Sequence, residues 1–238
     1  MELFAPRSNC FVAHFDMLGM RTIIQEDLDQ AWDLLLDFED ARTQSRDLPL
    51  SEDTRRSIRE IVFSDTVVFI SQADGPGDLH AIIARSLELF RASFAGGIPV
   101  RGVIAHGSMA ISDDPLRFIG QALVDAHDLG ESQKILGVSL QREATLLFER
   151  NPFKFTSGAH VLVDWDVPTQ QGSENRSVLN WPPFCHTYFP KGFPVTPEEL
   201  YGRFKREEFA CLPQEVQQKY KNTLEFILYS SQVIPRTS

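Results

Sequence analysis

Nearly continuous apolar runs, separated by stretches of helical period, organise the first two thirds of the chain. The run NCFVAHFD, residues 9–16, opens on a polar residue and closes on an aspartate before a glycine turn, which predicts a buried strand. From about Leu18 to Arg46, apolar positions at Ile23, Leu28, Trp32, Leu35 and Phe38 keep a helical period and predict one helix. REIVFSD and TVVFISQ predict a hairpin turning at Ser64 and Asp65, followed by a loop at ADGPGD. LHAIIARSLELFRASF, residues 79–94, predicts a second amphipathic helix stopped by Gly96 and Gly97. IPVRGVIAHGSMAI, residues 98–111, predicts a long strand with a glycine bend. DDPLRFIG then leads into a helix of about Gln121 to Lys134, and ILGVSL and HVLVDW predict two more strands.

The resulting order, β-α-β-β-α-β, predicts an α+β fold with a ferredoxin-like core, helices on one face of the sheet and appended strands. The character changes after Trp165. VPTQQGSENRS predicts a loop, NWPPFCHTYFPKGFPVTP is rich in proline and aromatics, and helices follow at about 197–208 and 213–231. Residues 1–165 are therefore read as a core and 166–238 as an extension packed on it.

Composition narrows the function. The formal net charge of −10 argues against a broad nucleic-acid or anionic-membrane surface, and leaves room for a local cationic pocket. No apolar run approaches the roughly 20 residues of a membrane span. The start, MELFAPRSNC, carries no signal-peptide pattern. Cys10, Cys185 and Cys211 are scattered, without a CxxC pair, as expected of free thiols in a reducing cytoplasm. The six histidines form no zinc-binding spacing.

Two aspartates stand out because each closes or interrupts an apolar strand, where an unpaired carboxylate is costly. Asp16 and Asp65 can meet on adjacent central strands. Two carboxylates brought together repel, and one takes up a proton unless cations stand between them. With hard divalent ions in place both stay ionised, and the ions can bridge triphosphate oxygens. Gly19 fits the same picture, since it opens a turn that aims helix-start amides at phosphate. On these grounds alone a plainer reading stands equally: Asp16 caps the helix and Asp65 belongs to a hairpin turn.

HFDMLGM resembles the first-strand motif of class III nucleotide cyclases, in which an aromatic precedes a metal-binding aspartate. FSDTVVF resembles that family's metal-binding hairpin, with Ser64 in place of the usual glycine. RGVIAHGS is similar to the strand whose arginine reaches the triphosphate, with Arg101, His106 and Gly107 at the family's spacing, and FIGQALVDAHDL is similar to the segment opening the next helix. These matches run in order over about residues 9–165. The compact core, the FSDTVV and GQALVDAHDL segments and the aromatic extension look most like the bacterial Pycsar cyclases, antiphage enzymes that make cyclic UMP or cyclic CMP.

The resemblance implies a metal-dependent cyclase, with UTP expected before CTP. Asp16 and Asp65 are expected to hold two Mn²⁺ or Mg²⁺ ions, with the Met17 carbonyl as a further ligand. Phe15 and the backbone of Met17, Leu18, Gly19, Met20 and Arg21 are expected around the substrate phosphates. Arg101 is expected to neutralise charge as pyrophosphate leaves. Ile61 and Arg117, with Arg59 and Phe63, are the candidates for a base pocket. His106 is read as a packed or hydrogen-bonded residue. The family's site is shared between chains, which implies a homodimer with sites at the interface and a product read by a separate cyclic-nucleotide-binding effector.

The departures bear on function. The asparagine and arginine that steady the transition state in familiar adenylyl and guanylyl cyclases are replaced by Val124 and Asp128, and the purine-selecting Lys or Glu by Ile61. Two other readings are therefore carried: a catalytically degenerate cyclase homology domain acting as nucleotide sensor or dimerisation module, and a purine nucleotide cyclase. A diguanylate cyclase or polymerase relative is disfavoured, because the chain has no GGDEF-like stretch and is too acidic for a template binder.

Overall fold

The computed structural model describes residues 8–46, 58–113, 116–153, 160–185, 192–204 and 208–233. The first strand, β1 (Ser8–Met17), lies between β3 (Thr66–Ser71) and β4 (Val100–Asp113), antiparallel to both. β2 (Ile58–Phe63) pairs with β3, β6 (Gly137–Leu140) runs parallel to β4, and the hairpin β7 (Leu162–Thr169) and β8 (Gly172–Leu179) completes the order β2-β3-β1-β4-β6-β8-β7. β5 (Leu116–Gly120) pairs with the far end of β4.

Period-two alternation along β1 divides its side chains between two layers. Phe11, Ala13, Phe15 and Met17 enter a large core with α1 (Met20–Glu26), α2 (Leu28–Arg46) and α3 (Pro76–Ala95). Cys10 and Val12 turn to the opposite face, against Ala122 and Ala126 of α4 (Gln121–Ser132). Burying a side chain such as Phe15 contributes about 2–3 kcal/mol. Gly102 makes room for it, since a Cβ there would stand 2.7 Å from the Phe15 ring.

The α+β class and the β-α-β-β-α-β order of elements stand as read from sequence, and several local expectations do not. The single helix of 18–46 is two, because the Asp27 carboxylate accepts from the Gln30 N–H (3.0 Å) and caps α2. The helices do not all share one face, since the small residues of α4 let it pack across β1 and β4 on the other side. The expected loop VPTQQGSENRS is the β7–β8 turn, where burial of Val167, Arg176 and Ser177 outweighs the polar composition. β5 and α5 (Arg142–Arg150) are additional elements, one short and the other strongly charged, and neither carries a long apolar pattern.

Beyond Trp165 the chain continues into the same core. Trp181 packs with tilted rings at 4.9 Å and 5.0 Å against Phe90 and Phe94 of α3, next to α6 (Pro182–Cys185). The helix expected at 197–208 is shorter: α7 covers Pro197–Tyr201, and residues 205–207 of the expected span lie outside the described residues. A 3₁₀ turn at Phe209–Cys211 leads into α8 (Gln214–Val233). Cys10 and Cys185 are buried free thiols, pushed by burial to about 11 and about 12 respectively. No helix among the described residues is long and apolar enough to cross a membrane.

Candidate active site

Asp16 sits on the α4 side of β1, directly opposite Arg101 of β4 in the strand register. The Arg101 Nη2 donates to Asp16 Oδ2 at 3.0 Å and to the Glu131 carboxylate at the end of α4, and Nη1 reaches the Glu131 carbonyl at 3.4 Å. Arg101 is only 7% exposed, and its Nε has no hydrogen-bond partner among the described residues. Burial pushes the Asp16 carboxyl above the usual carboxylate range, and the neighbouring Asp65 adds to this. The Arg101 charge and hydrogen bond act the other way.

Asp65 arrives through the β2–β3 turn. Ser64 holds φ at 53°, a left-handed conformation that glycine adopts without strain, which accounts for the glycine in the resembled motif. The turn places the Asp65 carbonyl 3.2 Å from the Met17 N–H. A residue's N–H and C=O point to the same side of a strand, so the Met17 carbonyl faces β3 and Asp65 as well.

Gly19 is left-handed too, at φ 86°, and turns the chain from β1 into α1. Of the amides expected to cradle phosphate, those of Met17 and Leu18 are already committed, to the carbonyls of Asp65 and Pro99. This leaves the amides of Gly19, Met20 and Arg21, which the start of a helix cannot satisfy internally. Phe15 and Met20 point their side chains into the core and offer a substrate backbone alone, whereas Arg21 is exposed.

An open cleft of about 400 Å³ lies beside these groups, lined by His14, Ile61, Phe63, Val124, His127 and Asp128. Phe63 is 78% exposed and Val124 49%. The His14 and His127 rings meet edge-on at 5.3 Å. Burial first, then the charges of His127 and Arg101, lower His14 to about 4, so it is neutral at physiological pH. Arg117 is exposed on β5 and is not part of the cleft wall, to which its neighbour Phe118 contributes. His106 lies on the opposite face of β4, packed at 5.0 Å on Phe11 with Nε2 3.3 Å from Asp74.

The structure therefore brings Asp16, Asp65, Arg101 and the turn at Gly19 together, with Ile61 and Phe63 alongside. Glu131 and His14 were not singled out from sequence. His14 carried a signal, since it lies two residues before Asp16 and so on the same strand face. Glu131 carried none, being one polar residue at the end of an amphipathic helix. Among the described residues no group of three or more His, Cys, Asp or Glu gathers to hold a metal ion. Two carboxylates with an adjacent carbonyl suit a hard cation that takes its remaining oxygens from a substrate.

Chains of known structure share this architecture. The catalytic core of a rhodopsin-guanylyl cyclase with converted specificity, in complex with ATPαS, is 11% identical and superposes with a TM-score of 0.52 over 73% of this chain and 96% of its own. The dimeric guanylyl cyclase domain of the RhoGC fusion protein from the aquatic fungus Blastocladiella emersonii is 10% identical, with a TM-score of 0.50 over 74% of this chain and 98% of its own. The chain has the class III cyclase fold. No protein-family profile and no curated protein matches its sequence. The fold is thus shared at 10–11% identity, and Asp16, Asp65 and Arg101 stand together at one end of its central strands.

Proposed function

We propose that the chain is a metal-dependent nucleotide cyclase that converts a pyrimidine ribonucleoside triphosphate, UTP before CTP, to its 3′,5′-cyclic monophosphate and pyrophosphate. The observation that carries this reading is the meeting of Asp16, Asp65 and Arg101 on a cyclase fold. Asp16, Asp65 and the Met17 carbonyl hold two Mn²⁺ or Mg²⁺ ions, which when bound acidify the ribose 3′ hydroxyl and neutralise phosphate charge. Arg101 exchanges its bond to Asp16 for the phosphates and, through its planar fork, stabilises the charge that develops as pyrophosphate leaves. The amides of Gly19, Met20 and Arg21 orient the same phosphates.

Residues 1–165 form the catalytic core in this reading, and 166–238 the extension. The exposed apolar wall around Phe63 and Val124 supports a homodimer whose partner completes each base site. Pyrimidine choice is supported by Ile61 at the purine-selecting position and by the resemblance to Pycsar cyclases. That resemblance also supports a cytoplasmic role in antiphage defence, with the product read by a separate cyclic-nucleotide-binding effector.

A second reading is a degenerate cyclase domain that binds nucleotide without turning it over. It is favoured by Val124 and Asp128 in place of the transition-state asparagine and arginine. Incubation with each of the four ribonucleoside triphosphates and Mn²⁺, with products identified by mass, separates the two. The proposal predicts cyclic UMP as the main product. Cyclic AMP or cyclic GMP as the main product overturns the pyrimidine choice, and binding without any cyclic product favours the second reading.

A further inference from the structure

The helices α1 and α2 carry two apolar rows, and only one of them enters the core. Ile23, Ala31, Leu34, Phe38 and Ala41 are buried toward the sheet. Ile24, Leu28, Trp32 and Leu36, each four residues from the next, are 46%, 67%, 59% and 49% exposed. That spacing sets neighbouring members of the row beside one another on one side of the helix. Leu28 and Trp32 keep the helical period in the sequence, yet they lie outside the core. An apolar row of this kind on a helix surface marks a contact site. It is separate from the wall formed by Phe63 and Val124, which lies on the α4 side of the sheet, while α1 and α2 cover the other side.

A row of carboxylates runs along the exposed apolar row. Asp29, Asp33 and Asp37 each follow one of its members by a single position, and all three are exposed. They stand four residues apart, the spacing at which like charges on a helix repel. Among the described residues none forms an ion pair with them. Of the basic side chains described on α1 and α2, Arg21 is exposed, and Arg42 is buried against Glu39 and Glu60. The face therefore bears two costs at once, apolar surface in water and uncompensated negative charge. One ligand chemistry relieves both.

We propose that this face docks a cationic amphipathic helix of a partner protein. Its apolar side chains cover Leu28, Trp32 and Leu36, and its Lys and Arg side chains pair with Asp29, Asp33 and Asp37. Trp32, in the middle of the row, is the residue type that most often anchors such contacts. A second copy of this chain laid on the same face would bring the two acidic rows together, and an anionic bilayer would be repelled by them. The inference stands on this face alone and does not depend on the cyclase reading.

The test titrates the full chain by calorimetry with a leucine–lysine peptide of about four helical turns, apolar on one face and cationic on the other. Two control peptides keep one property each: a leucine–glutamate peptide keeps the apolar face, and a serine–lysine peptide keeps the charge. The leucine–lysine peptide is expected to bind at least about tenfold tighter than either control, and more weakly as salt is raised. Trp32→Ser should weaken it by about tenfold or more, the scale of a central interface anchor, with the melting temperature unchanged because the side chain is exposed. Changing Asp29, Asp33 and Asp37 together to Asn should weaken it by a similar factor and flatten the salt dependence. The same change should leave the melting temperature unchanged or higher, since repulsion along the helix is removed. Phe63→Ser, on the other side of the sheet, should leave peptide affinity unchanged.

Equal affinity for the serine–lysine peptide would reduce the effect to net charge and overturn the proposal. Peptide binding abolished by Phe63→Ser would place the peptide in the cleft and also overturn it. So would self-association in sedimentation, or binding to phosphatidylserine vesicles, that Trp32→Ser abolishes. A Trp32 fluorescence contribution shielded from acrylamide in the free protein would mean that the chain covers the row itself, again against the proposal. If Trp32→Ser lowers the melting temperature, Leu28→Ser carries the comparison. A lowered melting temperature in both assigns the row to packing and overturns the inference.

Discussion

The charged end of the site and the cleft beside it are built from the same strands, yet they are finished to different degrees. At the charged end Asp16, Arg101 and Glu131 form one network within a single chain, on a largely buried guanidinium. Two residues back along β1, His14 opens onto a cleft whose walls expose Phe63 and Val124. The contrast fits a site in which one chain prepares the metal and phosphate half alone, while the base half awaits a second surface. It also predicts that variants at the two ends will behave differently.

The largest difference is expected at Arg101. Arg101→Ala should lower kcat by about 10²- to 10³-fold, the scale of losing a donor to transition-state charge. Arg101→Lys should recover part of that, because a point charge cannot grip two phosphate oxygens. A raised KM with unchanged kcat in both variants would place Arg101 in uniform substrate binding instead.

A shared cleft is tested by mixing two inactive proteins, Asp16→Ala and Val124→Asp. The Val124 side chain is half exposed on α4, so the fold should tolerate the change. In a mixed dimer one site collects both lesions and the other neither. Random exchange at equal amounts should restore about a quarter of wild-type turnover, from half the dimers with one of two sites each. No recovery, with subunit exchange verified by mass, would mean that one chain builds the whole cleft.

The smallest effect is expected at the turn that presents Asp65. Ser64→Gly should relieve the left-handed strain and raise stability by up to about 1 kcal/mol in urea unfolding, offset in part by the greater freedom of glycine when unfolded. Destabilisation would show that the Ser64 side chain contributes more than its backbone costs.

The charged end was legible in the sequence because Asp16 and Arg101 are costly residues inside apolar strands, and that cost is visible without a structure. The cleft was legible only in part. Ile61 and Phe63 share a strand face by alternation, but exposed apolar residues such as Val124 read like any partly covered helix position. The break at Asp27 was hidden because the apolar period runs through it, and only a capping bond ends the first helix. The β7–β8 hairpin was missed because its turn and one of its strands are polar, and pairing with β6 decides the matter. Glu131 was invisible for a different reason: it is an ordinary helix residue whose part in the network comes from the distant strand it meets.

The metal assignment of the two aspartates is the centre of this account, and turnover of Asp16→Asn and Asp65→Asn with UTP and Mn²⁺ tests it most directly. Because the Asp16 carboxyl is raised above its ordinary range, its contribution to folding stability is present at low pH and lost as pH rises through that value. Asp16→Asn should therefore melt no lower than wild type at neutral pH. With both proteins folded, the account predicts that neither forms cyclic product above background, and that both lose Mn²⁺ binding followed by electron paramagnetic resonance. Cyclic product at a rate near wild type from either protein would contradict it.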